Sequence, residues 1–414
     1  MNGVSDDLIA DCGGAIEEIA ITFPGDLLEG QRPERAALYD AMSAQLSNYA
    51  ALTVICESPT GPHVTAWARR LSLRRSPSIA ACLPADMLDE GGYWIRDPFL
   101  CSEAGNQGQY LIPGKAASEG TYLGAWNQTP TSQVPVMMNG GNCLIGDDFW
   151  LLGAFALRDT TDSYPQYGKS LVRAEAAFAS LSGKTLYVIG TRPRNFRQWM
   201  ACIIENIRDR IQEKQRSQQF PRPRTSHRGD LSAWARSLGV IVPEPVNQPI
   251  RHIDLYISLT GLKVNGKRLL LVGEPKTTTN PKGPTDKDFD AKIMRSLDSL
   301  SRNDFEIWRN PMPLLLPPGV NSCPSNIDCR ELRFYNNVLV QNDPAVVWLP
   351  QFGDQELALR DMDEANRKIW SDLGFTVEQV YGWSTFVTSH GAVHCATKVL
   401  KRAAINSVGP QKSA

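Results

Sequence analysis

Cys143-Leu144-Ile145-Gly146-Asp147-Asp148-Phe149-Trp150-Leu151-Leu152-Gly153-Ala154-Phe155 is the stretch whose reading decides the fold. Apolar runs flank Gly146-Asp147-Asp148, so the stretch predicts a hairpin over 143–155 that turns at those three residues. An Ala-rich helical pattern follows at about 171–182, and Thr185-Leu186-Tyr187-Val188-Ile189 reads as a strand. The order is hairpin, helix, strand.

That order recurs. Residues 252–273 predict a hairpin turning at Asn265-Gly266-Lys267, followed by a weaker helical pattern at about 286–300 and an apolar run at 312–316. A third hairpin is expected over about 331–349, turning at Asn342-Asp343-Pro344. A helix at about 354–373 and a strand at 376–380 complete that unit. The N-terminal third fits less cleanly, with a helix near 33–49, a strand at 51–56 and strand-like pieces around 78–83 and 93–100. Such units cannot bury their apolar faces alone, and packed around a centre they make one core. An amphipathic helix is expected at 197–216, running into an exposed loop near 214–232. No linker forces a division, so residues 1–414 are read as a single catalytic domain.

Composition narrows the function classes. The chain has 43 basic and 44 acidic side chains, with 42% hydrophobic and 21% charged residues. That balance carries no nucleic-acid footprint, and no apolar run reaches the roughly 18 residues needed to span a bilayer. The N-terminus lacks the basic-then-apolar pattern of a signal peptide. Nine cysteines are scattered without Cys-x-x-Cys spacing, and most sit in apolar settings such as Leu52-Thr53-Val54-Ile55-Cys56. A reducing cytoplasm is the expected compartment.

Three short motifs carry chemistry. Trp94-Ile95-Arg96-Asp97 precedes Pro98, which biases Asp97 to an extended backbone at a strand end; the bland reading is a salt bridge or turn cap. His252 and Asp254 are two apart, which on a strand puts them on one face about 6–7 Å apart; the alternative is an exposed histidine beside an unrelated aspartate. Cys395 follows Gly391-Ala392-Val393-His394, and the glycine predicts a loop with unusual backbone angles and an accessible thiol. His390, His394 and Cys395 also form a loose metal pattern. Gly391 argues against the continuous helix that pattern needs, so no metal is expected. Asn139-Gly140-Gly141-Asn142 either lets backbone approach a ligand or makes a tight turn. Tyr335-Asn336-Asn337 is placed in the first strand of the third hairpin. A thiol, an imidazole and two carboxylates suit attack on the carbon of a planar cation such as a guanidinium.

Together these motifs resemble the guanidino-group-modifying superfamily, the penteins, and within it most the agmatine deiminases and bacterial peptidylarginine deiminases. The matching residues are Trp94–Asp97, Gly140–Asn142, His252–Asp254 and Gly391–Thr397, with Phe334–Val338 and Trp348–Asp354 between them. The resemblance implies a five-bladed pseudosymmetric α/β propeller with its site in the central channel. It implies Asp97 and Asp254 as the guanidinium clamp, His252 as general acid/base and Cys395 as nucleophile. Asn337, Asn139, Asn142 and Trp94 would contact substrate, and no cofactor is implied. The partner would be a small arginine-like molecule, with a homodimer as a candidate assembly.

Two departures bear on the substrate. Many relatives have Glu where this chain has Asn139, and an amide lacks the same Coulombic hold on a cation. Asp97-Pro98-Phe99 replaces the Asp-x-Gly-Pro of agmatine deiminases, which points away from agmatine. The leading expectation is hydrolysis of the guanidino group of arginine or a derivative. The alternatives are an amidinotransferase and a non-catalytic binding protein of the same fold. A papain-type protease fits poorly, since its histidine follows its cysteine in the chain.

Overall fold

Gly146 and its two aspartates do turn the chain. Cys143–Ile145 pairs antiparallel with Phe149–Gly153, and Thr185–Ile189 lies parallel to Phe149–Gly153 on the other side. A parallel return needs a crossover. Helices Ala154–Ser163 and Leu171–Ala179 supply it, the second capped by the Ser170 hydroxyl accepting from the Arg173 N–H. The first of these helices was not foreseen. The computed structural model describes residues 7–23, 33–56, 78–80, 94–104, 107–113, 119–168, 170–190, 246–316 and 330–403. The expected helix at 197–216 and the loop near 214–232 lie outside them.

The second unit follows the same plan. Ile257–Val264 pairs antiparallel with Lys267–Lys276, helix Lys287–Ser296 follows, and Phe305–Leu315 returns parallel. Asn265 and Gly266 both have positive φ, 50° and 77°, the conformation a tight two-residue hairpin turn requires. Asp286 caps the helix by accepting from the Phe289 N–H at 3.0 Å.

The third hairpin is shorter than expected. Its strands are Leu339–Asn342 and Ala345–Pro350, followed by helix Arg360–Asp372 and the parallel strand Thr376–Val380. Glu331–Leu332 instead joins the preceding sheet, opposite Leu314 and Leu315. Residues 333–338, Asn337 among them, form turns and not a strand. Their side chains explain why. The buried Arg333 guanidinium reaches Glu356 and the Glu331 and Leu316 carbonyls, and the Tyr335 hydroxyl reaches Asp363 at 2.5 Å. Partners in several directions are incompatible with one flat strand.

The N-terminal third holds two more sheets. Leu100–Ala104, Gln107–Pro113, helix Glu119–Asn127 and Thr131–Val134 repeat the antiparallel-then-parallel order. The strand read over 93–100 starts only at Leu100, because Pro98 has no N–H to pair and 94–99 forms a turn. In the last sheet Ile16–Phe23 pairs parallel with Ala51–Cys56 around helix Pro33–Ser47. Its antiparallel partner is Lys398–Arg402, with Lys398 opposite Ala20. Among the described residues there are thus five small sheets.

Residues 9–15 run between these sheets. Backbone and side-chain hydrogen bonds link Ile9 to Cys101, Asp11 to Ile145, Gly13 to Asn342, and Ala15 to Ala403. Asp11 is consequently buried. Trp150, Trp348, Trp370 and Trp383 are fully buried in the surrounding core.

Candidate active site

The turn carrying Asp97 is tied down on all sides. The Asp97 N–H donates to the Trp94 carbonyl at 3.2 Å, and the Arg96 N–H donates to the Cys395 carbonyl at 3.2 Å. Behind it, the Arg96 guanidinium pairs with Asp11, and the buried Lys398 ammonium donates to the Arg96 and Phe99 carbonyls. In front, the Asp97 carboxylate accepts from the Gly141 N–H at 2.9 Å.

Gly140 and Gly141 are required by close packing. A Cβ on Gly140 would run into the Arg96 carbonyl, and one on Gly141 would lie 2.5 Å from His252 Nδ1. The pair lets the 139–142 turn lie against the imidazole. His252 itself is extended and half-buried, and Ile253–Leu255 forms one 3-10 turn. The strand expected for His252 and Asp254 is therefore absent. The tighter turn brings an atom of each, with Cys395 Sγ, to within 4.8 Å of one another.

Cys395 lies in the turn 392–397, where the Ala396 N–H donates to the Ala392 carbonyl at 3.0 Å. The left-handed residue is His390 (φ 55°), not Gly391. Gly391 is needed for another reason: a Cβ there would stand 2.7 Å from the Trp94 ring. The expected accessible thiol is also corrected, because Cys395 is 1% exposed. Burial, and then the charges of Asp254 and Asp97, push its thiol well above the ordinary range, with an Asn337 hydrogen bond acting the other way. A cation between those carboxylates would cancel their field at sulfur.

Asn337 is fully buried beside the sulfur. Its Nδ2 donates to Asp254 Oδ2 at 2.9 Å and to Cys395 Sγ at 3.2 Å. Its Oδ1 accepts from the Ala392 and Cys395 N–H groups. Trp94 packs edge-on against Phe386. Asn139 caps the 140–142 turn, accepting from the Gly141 N–H at 3.2 Å, so it does what the tight-turn reading asks. Asn142 is buried against Gln248, accepting from its Nε2 at 2.8 Å.

The two histidines near Cys395 diverge. His390 is exposed, 3.6 Å from Glu331, whereas His394 is buried against Asp254. They cannot share an ion with Cys395. Among the described residues, His252, Asp254 and Cys395 are the group whose spacing could hold one, with a nitrogen, oxygen and sulfur donor set of the kind zinc accepts. The same spacing suits a nucleophile beside a proton carrier.

Three residues at the site were given no part in the guanidinium chemistry from sequence. His394 Nδ1 lies 2.8 Å from Asp254 Oδ2, and its Nε2 lies 3.8 Å from Asp11 Oδ1. Burial alone would raise the Asp11 carboxyl, but Arg96 and His394 outweigh it and hold it far below the usual carboxylate range. Arg96 and His394 sat inside the motifs; Asp11 had no local signal.

No protein-family model matches the chain, and no curated protein sequence is similar to it. Solved structures do match. The agmatine deiminase of C. jejuni is 11% identical, with 96% of each chain covered and a TM-score of 0.57. The agmatine deiminase of Enterococcus faecalis is 12% identical, covering 95% of this chain and 94% of that one, with a TM-score of 0.52. The likeness is of architecture over the whole length, with little sequence in common. The chain therefore has the fold of these agmatine deiminases.

Proposed function

We propose that the chain hydrolyses the guanidino group of arginine or an arginine derivative. One observation carries the reading: Cys395 Sγ, a His252 nitrogen and an Asp254 oxygen lie within 4.8 Å of one another. Asp97 flanks them through the Gly141 turn, and the fold is that of guanidine-modifying enzymes. On this reading the five sheets are the five blades of one propeller domain around the site.

Asp97 and Asp254 grip the planar cation, whose charge offsets theirs at the thiol and lets its proton leave to His252. The sulfur then attacks the guanidinium carbon, forming a C–S bond. His252 returns the proton to one terminal nitrogen, the C–N bond breaks, and ammonia departs from an amidino-thioether. Water gives a proton to His252 and its oxygen attacks the same carbon. The adduct's hydroxyl proton passes to solvent, where it converts the released ammonia to ammonium; the C–S bond breaks, the proton on His252 returns to sulfur, and a ureido product leaves. Hydrogen bonding from Asn337 stabilises the thiolate in both halves.

The test is ammonia release from free arginine, agmatine, arginyl peptides and other guanidines, with the ureido product identified by mass. Release without any amine acceptor supports hydrolysis. Turnover only with an amine, giving a new guanidine, would make the chain an amidinotransferase. Neither outcome with any guanidine would leave a binding protein and reject the proposal.

A further inference from the structure

The hydrolysis above makes no use of His394, yet His394 is 3% exposed and directly bonded to Asp254. A carboxylate only accepts, so Nδ1 carries the hydrogen and donates to Asp254 Oδ2. Nε2 faces Asp11 Oδ1 on the other side of the ring. Asp11 is fixed in turn by the Arg96 guanidinium on Oδ1 and by the Ile145 N–H on Oδ2 at 2.7 Å. The chain Arg96, Asp11, His394, Asp254 is buried at every member.

It ends at an unsatisfied atom. Asp254 Oδ2 receives His394, Asn337 and the Cys395 thiol, whereas Asp254 Oδ1 is buried with no hydrogen-bond partner among the described residues. A Cβ on Gly141 would lie 3.1 Å from Oδ1 and 2.5 Å from His252 Nδ1, so Oδ1 sits beside the imidazole and against the Gly141 backbone. An orphaned buried acceptor is costly, and a donor brought by a ligand relieves that cost. Rotating the carboxylate to satisfy Oδ1 internally would break its bonds to His394 and Asn337.

We propose that His394 is a positioning residue: backed by Asp11, it holds the Asp254 carboxylate so that Oδ1 is presented to a planar cationic ligand. The proposal rests on the guanidino reading and deepens it, since it assigns the orientation of one carboxylate of the clamp to a histidine that touches no substrate. Asp11 acts from the segment between the sheets, remote in sequence from every motif. Its pairing with Arg96 sets the charge that His394 faces.

The experiment measures inactivation of the full-length protein at Cys395 by 2-chloroacetamidine, a planar cation, and by neutral iodoacetamide. The ratio of the two rates reads the grip on a cation without needing the natural substrate. His394→Leu and His394→Gln are expected to lower that ratio about tenfold or more, the loss of one charge-assisted hydrogen bond. His394→Asn places an amide donor near the position of Nδ1 and is expected to stay within about threefold of wild type. Asp11→Asn, which keeps His394 in place, is expected to fall between. Circular dichroism selects variants that remain folded. Equal ratios for the Asn and Gln variants, or an unchanged ratio in Asp11→Asn and His394→Leu, would overturn the positioning role while leaving the guanidino reading intact. No cationic preference in the wild-type protein would sink the guanidino reading itself, and the positioning role with it.

Discussion

Asn337 grips Cys395 at two points: its Oδ1 accepts from the Cys395 backbone N–H at 3.1 Å, and its Nδ2 lies 3.2 Å from the sulfur. The same amide joins Asp254 Oδ2 to the nucleophile's turn. Asn337→Ala would leave the Ala392 and Cys395 N–H groups buried without partners. Each costs about 1–3 kcal/mol, so a stability loss of about 2–6 kcal/mol is expected together with loss of turnover. Urea denaturation checks the first and ammonia release the second. A variant that melts like wild type would mean that the turn stands without Asn337.

Cys395→Ser is expected to abolish turnover by several orders of magnitude with the fold intact, and retained activity would remove the proposed nucleophile. The alkaline limb of stability offers a second check through Cys395→Ala. The folded thiol titrates well above its ordinary value, so its contribution is fully present below the unfolded pKa of about 8.5. As pH rises above that, the unfolded state loses the proton first, and stability falls towards the folded pKa. Melting curves from pH 7 to 10 should therefore show wild type losing ground to Cys395→Ala above about pH 8.5. Parallel curves would show that the buried thiol does not resist ionisation.

Asp97→Asn and Asp254→Asn are expected to differ in stability and agree in activity. Each removes one arm of the guanidinium clamp. Two charge-assisted bonds at about 1.5–3 kcal/mol each correspond to about a 10²–10⁴-fold fall in kcat/KM. Asp97 is half-buried and bonds one N–H of the 139–142 turn, whereas Asp254 is buried at the centre of the His394 and Asn337 contacts. Asp254→Asn should therefore lower the melting temperature more. Full activity in the folded fraction of either variant would make that residue structural.

Asn139→Glu is expected to leave the ranking of arginine, agmatine and arginyl peptides unchanged. The Asn139 side chain is turned onto the Gly141 N–H as a cap, and a glutamate is too long to make the same contact. A modest loss of stability, about 1 kcal/mol, is the expected effect. A reordered substrate ranking in steady-state assays would instead put position 139 against the guanidinium.

Much of the architecture was legible because its determinants are local. The turn at Asn265-Gly266 shows it, since two adjacent residues able to take positive φ set the hairpin register. Strands Thr185–Ile189 and Thr376–Val380 coincide with the stretches read as strands. Two of the misreadings share one cause. Residues 94–99 and 333–338 look strand-like in composition, but their polar groups find partners in several other segments.

The sequence alone determined three hairpin, helix and strand units and the types of residue gathered at the site. Apolar periodicity and turn chemistry act over a few residues, and the motif residues announce their chemistry by type and order. Tertiary structure decided the rest. Lys398–Arg402 completes the sheet begun by Ile16–Phe23, and Asp11 comes to lie beside His394. Only folding buries Cys395 and converts a nominally reactive thiol into one held protonated. These outcomes depend on which segments bury each other across the whole chain, and no local pattern encodes the partner.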